Sequence, residues 1–109
     1  QHSLEVMMEA TNHDLPMLVQ LMCHNPSILY QIKRRGFIRE GYHADLALVD
    51  LNVKNTISNG LEYSKCGWTP YDGMVTHTKV THTFVNGNLV FENGIFHEDS
   101  KGTRLEFDR

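Results

Sequence analysis

The spacing of apolar positions along the chain changes once, near Gly41, and that change divides it in two. Before Gly41, apolar residues recur at three- and four-residue intervals. Leu4, Met7 and Met8 stand at i, i+3 and i+4 in SLEVMMEATN, which gives one face of a helix an apolar stripe, with Ser3 in the position of an N-cap. NHD then punctuates. Asp14 is placed to cap DLPMLVQLMCH, whose Pro16 falls in the first turn and whose stripe is Leu15, Leu18, Val19 and Met22. The device repeats in NPSILYQI. Asn25 as cap and Pro26 at the first helical position predict a third helix with Ile28, Leu29 and Ile32 pointing inward. The cations of KRRG suit its negative end, and Gly36 suits the C′ position.

Beyond Gly41 the period is two, or the run is continuously apolar. ADLALVDL predicts a strand fenced by Asp45 and Asp50, and VKNTIS a weaker extended piece. NGLEYSKCGWTPYDGM is punctuated by glycines and a proline and predicts a loop. Val80–Val85 and Asn88–Phe91 flank Asn86-Gly87, the strongest short-range hairpin signal, and a second turn at ENG leads to a short strand at Ile95 and Phe96. Helices followed by strands predict an α+β chain, divided into helices over 1–40, strands over 41–97 and a polar, mobile tail over 98–109. The strands are few for a closed sandwich and predict partners from elsewhere.

Composition narrows the function classes. The chain has 109 residues, enough for one domain, and 40% of them are apolar. Ten basic and thirteen acidic residues give a net charge of -3, without the basic stripe that nucleic acid or an anionic membrane surface would need. No apolar run approaches the roughly 18 residues of a membrane span. The opening QHSLEV lacks the pattern of a secretory leader. A first residue that is Gln, at the start of a helix, leads us to expect a piece of a longer protein. Cys23 and Cys66 are too few for a disulfide framework and read as two reduced thiols of a cytosolic protein.

Seven histidines invite a metal hypothesis. His77 and His82 are five apart, so on one strand they face opposite ways, and a shared ion would need a bulge between them. His24 beside Cys23 is adjacent on a helix, where neighbours diverge. His13 and His43 sit in turns. Asp45 and Asp50 also diverge and read as turn chemistry at strand ends rather than as a paired-carboxylate site. GFIREG lacks the lysine and preceding strand of a phosphate loop, and no nucleophile elbow is present. Met7, Met8, Met17 and Met22 read as core filler. The residues by themselves assemble no catalytic site.

A family resemblance rests on four stretches. Asn25-Pro26-Ser27 resembles an Asn-Pro-Ala helix start, with Ser for Ala. Gly36-Phe37-Ile38-Arg39-Glu40-Gly41 resembles a Gly-x-Ile-x-x-Gly turn, followed by Ala44-Asp45-Leu46 through Asp50. Ser64-Lys65 to Thr69-Pro70-Tyr71-Asp72-Gly73 resembles a Thr-Pro-Phe-x-Gly loop with Tyr for Phe, and Thr83 to Val90 resembles a closing Thr-x-Val-x-Gly-x-x-Val hairpin. Together with the opening Gln1-His2-Ser3, these resemble the carboxyl-terminal region of the amidohydrolase superfamily, its dihydroorotase branch in particular.

That resemblance implies the last helices of a (β/α)8 barrel followed by strands of a small composite β-sandwich, built from both ends of a parent chain. It implies a zinc enzyme interconverting dihydroorotate and N-carbamoyl-L-aspartate in pyrimidine biosynthesis. The family's zinc ligands are a His-x-His, a carboxylated lysine, two further histidines and an aspartate. All would lie before Gln1, so no zinc and no activity are expected of the 109 residues alone. Gln1 and His2 would lie at the trailing edge of the substrate loop, where their preferred reading is entry into the first helix, with the rim of the substrate pocket as the alternative. The expected partners are the rest of the parent chain and a second copy, in the cytoplasm, with neither nucleic acid nor membrane. The alternatives are another amidohydrolase, hydantoinase-like or deacetylase-like, a homologue without metal ligands, or a self-contained α+β interaction module.

Overall fold

A computed structural model describes residues 1–109. The first helix, α1, spans Ser3–Ala10. Its cap position belongs to His2, whose side chain does not cap it, and Ser3 is already helical, so the expected Ser3 cap is not formed. Asn12 and His13, at φ 53° and 61°, turn the chain back. Asp14 does cap α2 (Leu15–Val19), accepting the Met17 N–H at 3.1 Å.

The expected break at Asn25 does not occur. A π turn over Gln20–His24 carries α2 directly into α3 (Asn25–Leu29). Asn25 has helical φ and ψ of -61° and -46°, and its N–H bonds Gln20 O, five residues back. Pro26 explains this. Proline lacks an N–H and its ring collides with the carbonyl four residues earlier, and widening the helix by one residue lets it run past that obstacle.

The helix also ends earlier than its cations suggest. Gln31, at φ 56°, donates to Ile28 O at 3.2 Å, and Ile32 donates to Ser27 O at 2.9 Å, the paired bonds of a Schellman ending. Gly36 therefore has a different task from the C′ role expected of it. It has φ +81°, and a Cβ there would lie 2.5 Å from Ser27 Cβ and 2.7 Å from Cys23 O. The chain folds back under its own helix, and only a glycine fits between.

The strands form two antiparallel sheets. β1 (Leu46–Asp50), β4 (Lys79–Val85), β5 (Asn88–Glu92) and β6 (Ile95–Phe96) make the larger, in the order β1-β4-β5-β6. Its register skips Thr81 opposite the Leu48–Val49 step and Val90 opposite the Thr83–Phe84 step, so both long strands carry a bulge. Asn86-Gly87 and Asn93-Gly94 form its turns with positive φ at all four residues, as primed hairpin turns require. β2 (Asn55–Thr56) falls within the extended VKNTIS piece, and its pairing with β3 (Val75–Thr76) into a smaller sheet was not expected. Two-residue strands carry no readable period, and this pairing spans the long loop.

Asp45 joins the two halves of the chain. Its carboxylate pairs with the Arg35 guanidinium and accepts the Asn86 N–H at 2.8 Å. Arg35 Nη2 also donates to Asn86 Oδ1 at 3.1 Å and to Thr103 Oγ1 at 3.2 Å. The tail, expected to be mobile, is laid alongside the same region: Lys33 donates to Glu106 O and Asp108 to Gln31 O, both at 2.9 Å, around an Ile32–Phe107 bridge.

The core is sparse. Eight of 109 residues are buried, and only Met8, Leu18 and Ile57 among them are apolar. Ile28 and Leu29, expected to point inward, are 65% and 72% exposed. The radius of gyration is 15.0 Å, against about 13 Å for a compact domain of this length. No helix is long and apolar enough to cross a membrane.

Candidate functional site

The start of α1, the 55–63 segment and the face of β4 and β5 enclose a cleft of about 1260 Å³. Gln1, His2, Glu5, Ile57, Glu62 and Phe91 are among its lining residues. Gln1 closes one end with both atoms of its amide. Its Nε2 donates to Leu61 O at 3.1 Å, and its Oε1 accepts the Tyr63 N–H at 3.0 Å. This doubles as backbone pairing for a segment that has no strand partner there.

His2 lies beside it. Its Nε2 pairs with Glu62 Oε1, and both side chains are largely buried, at 13% and 5% exposure. The Tyr71 ring stands nearly perpendicular to the imidazole with centroids 6.3 Å apart. A carboxylate on one ring nitrogen fixes how an imidazole is turned, which is how proteins orient histidines for proton transfer or binding. The second buried acid, Glu5, accepts from Asn55 Nδ2 at 3.3 Å and from the Val80 N–H at 3.4 Å. The two residues singled out from the sequence, Gln1 and His2, thus meet in one corner, and Glu62 joins them from 60 residues away. The sequence reading missed Glu5 and Glu62. Glu5 stands three residues before Met8 on the same helix face, a detectable signal, whereas Glu62 sits in an aperiodic loop and gives none.

The histidines divide otherwise than by sequence proximity. His77 lies in the step between β3 and β4, outside the strand that carries His82. The bulge at Thr81 does not unite them. His82 Nδ1 is 2.9 Å from Thr81 Oγ1, and its Nε2 is 3.7 Å from Glu92. His77 instead meets the end of α1. Its backbone N–H donates to Glu9 Oε1 at 2.7 Å, and its Nδ1 is 3.1 Å from the same oxygen. His13 Nε2 is 3.2 Å from Glu9 Oε2. Desolvation works to raise the Glu9 carboxyl. The His77 N–H, its ring and the charge of both imidazoles outweigh that and hold the group below the usual carboxylate range. His24 stacks on Phe37 with ring centroids 4.2 Å apart, away from any second imidazole.

Asp45 and Asp50 have the structural roles expected of them, Asp50 accepting the Asn52 N–H at 2.9 Å in a turn. Both cysteines are free, and as whole residues both are exposed. The surrounding protein still desolvates the Cys23 sulfur in part, which raises its thiol. A hydrogen bond with Ser64, then one with the Trp68 backbone, lowers that of Cys66.

The fold and the cleft can be set beside known proteins. Residues 1–90 match the Amidohydrolase family, and the chain belongs to it. Within that family the dihydroorotase likeness of the four motifs is shown by overall sequence: a dihydroorotase from Pyrococcus abyssi is 34% identical over 103 residues, spanning 92% of this chain and 25% of that protein. An allantoinase from Desulfitobacterium hafniense is 31% identical over 98 residues, spanning 86% of this chain and 22% of that one. Among solved structures, L-hydantoinase (dihydropyrimidinase) from Arthrobacter aurescens superposes with a TM-score of 0.76 at 27% identity, over 86% of this chain and 21% of that one. The chain spans about a quarter of the length of the curated dihydroorotases it matches.

Proposed function

We propose that this chain is the carboxyl-terminal scaffold of a zinc-dependent dihydroorotase, which interconverts dihydroorotate and N-carbamoyl-L-aspartate. The observation that carries this reading is the 34% identity to a dihydroorotase across nearly the whole chain. The sparse core supports it too, since a segment that completes a larger body leaves its apolar surface for that body to cover.

The family's zinc set does not fit the residues around the cleft. They contain no His-x-His, and of the two imidazoles that line the cleft, His2 is engaged by Glu62 and His97 lies 3.7 Å from Glu92. The reading therefore routes no chemical step through this chain. α1–α3 would close the barrel, and β1, β4, β5 and β6 would belong to the sandwich. Gln1 and His2 would stand at the rim of the substrate pocket, their positions set by Leu61, Tyr63 and Glu62.

A second reading keeps the ring-opening chemistry and changes the ring. The likeness to L-hydantoinase and to an allantoinase favours it. The test is to express the full gene product that carries this chain and to assay ring opening of dihydroorotate, hydantoin and allantoin side by side. Turnover of dihydroorotate above the others is the expected result. Preference for hydantoin or allantoin would establish the second reading, and failure on all three would overturn both. In the same protein His2→Ala should raise KM for dihydroorotate with kcat little changed, as loss of a rim contact requires; an unchanged KM would remove His2 from the rim.

A further inference from the structure

We propose that Glu9, His13 and His77 form a binding site for one borderline divalent metal ion of the Zn²⁺, Co²⁺, Ni²⁺ and Cu²⁺ class, clamping the end of α1 to the β3–β4 step. The site lies outside the cleft and is independent of the dihydroorotase reading.

The donors are two imidazoles and one carboxylate, each offering a ligand atom within 4.8 Å of the others. In a tetrahedral site with metal–ligand bonds of about 2.0–2.2 Å, adjacent donors stand about 3.3 Å apart. Glu9 Oε2 to His13 Nε2 is 3.2 Å, and Glu9 Oε1 to His77 Nδ1 is 3.1 Å. Each oxygen of the one carboxylate thus already faces one imidazole at that distance. A single ligating oxygen reaches both nitrogens once the carboxylate turns, and the gap between the imidazoles closes by rotation of two rings that are 44% and 54% exposed. Solvent on that side supplies the remaining ligands. Two nitrogens and one carboxylate oxygen suit borderline metals and are a poor set for Mg²⁺ or Ca²⁺, which want oxygen alone.

The backbone presents the donors. His13 follows the helix in a left-handed turn and its N–H bonds Met8 O at 2.8 Å, which holds its ring one turn beyond Glu9. His77 stands between Thr76 and Thr78, both fully buried, so its Cα cannot wander. Its own N–H holds Glu9 Oε1 at 2.7 Å, the kind of outer hydrogen bond that orients a ligating carboxylate. An ion here ties residues 68 positions apart, so its binding stabilises the folded arrangement by mass action.

The test uses the full gene product that carries this chain, with any tighter metal site filled first, then titrated with Zn²⁺ by calorimetry and with Co²⁺ by visible absorption. Three variants are compared: His13→Ala/His77→Ala, a control His43→Ala/His97→Ala that removes the same number of imidazoles, and Glu9→Gln. We expect one further saturable ion per chain and a melting temperature that rises with Zn²⁺. The cluster pair should lose about 10–100-fold in affinity together with the cobalt bands, and Glu9→Gln about tenfold, while the control pair is unchanged. Glu9→Gln keeps the oxygen that accepts the His77 N–H, so it remains informative if the double variant unfolds. Absence of stoichiometric binding, equal losses in the two double variants, or an unaltered affinity in Glu9→Gln would overturn the site.

Discussion

Gly36 carries no functional group, yet it is the glycine whose replacement the structure tolerates least. Its φ of +81° alone would cost an alanine about 1–2 kcal/mol. The added Cβ would also press on Cys23 O, which is helix backbone and cannot yield. Gly36→Ala should therefore lower stability by more than about 2 kcal/mol in denaturant unfolding, and a loss under half of that would show the turn to be pliable. Beside it, Ser27 Oγ donates to Arg35 O at 2.7 Å, so Ser27→Ala should cost about 1 kcal/mol. Thr78 shows the opposite case. Its Oγ1 is buried without a partner, and removing an unpaired buried hydroxyl recovers desolvation energy. Thr78→Val should stabilise by about 1 kcal/mol, and a loss of stability would mean that the hydroxyl has a partner. The cysteines provide a chemical check. With its thiol lowered chiefly by Ser64, Cys66 should react with an alkylating agent faster than Cys23, whose thiol burial raises; equal rates would contradict both surroundings.

At the scale of elements, the turn from α3 to β1 depends on one charged node. Arg35, Asp45, Asn86 and Thr103 bring together a helix end, a strand start, a hairpin turn and the tail. This explains why the apolar strand Leu46–Val49 is preceded by an acid: Asp45 positions it against the turn between β4 and β5. Hydrogen bonds to charged groups are worth about 1.5–3 kcal/mol, so Asp45→Asn should destabilise by about 2 kcal/mol and loosen the Asn86-Gly87 turn in hydrogen exchange. Exchange unchanged at Asn86 and Gly87 would mean that the turn holds itself. The elements were legible in the sequence to very different degrees. Asp14, the Leu46–Asp50 strand and the Asn86-Gly87 hairpin were read correctly because their signals are local. The helix break at Asn25 was read wrongly. Asn-Pro is a start signal by residue type, and nothing local says that a π turn will carry a helix through it.

At the scale of the molecule, the helix rod presents Met17, Leu21, Ile28 and Leu29 to solvent, and β1 and β6 leave open sheet edges. Exposed apolar surface next to open edges favours association. Alone in solution the chain should bind hydrophobic dyes and sediment above its monomer mass, with Ile28→Glu/Leu29→Glu shifting it toward monomer. A monodisperse monomer without dye binding would instead fit a domain that stands by itself. The same scale explains why the two clusters around Glu62 and Glu9 escaped the sequence reading. Each joins α1 or its preceding residues to a segment at least 60 residues later. Local patterning has no access to such pairs, because nothing in either segment's period depends on the other.

The sequence by itself determined the class, the order of helices before strands, the hairpin turns and the family motifs. Each of these rests on interactions within a few residues: helix and strand period, cap chemistry, and the positive φ that Asn and Gly tolerate. Only the tertiary structure decided that His77 belongs with Glu9 and His13 rather than with His82. It alone decided that Glu62 orients His2, and that Gly36 is needed for close packing rather than for a helix end. The physical reason is the same in each case. Hydrogen bonds and ion pairs depend on distance in space, and distance in space between remote segments is set by how the whole chain packs.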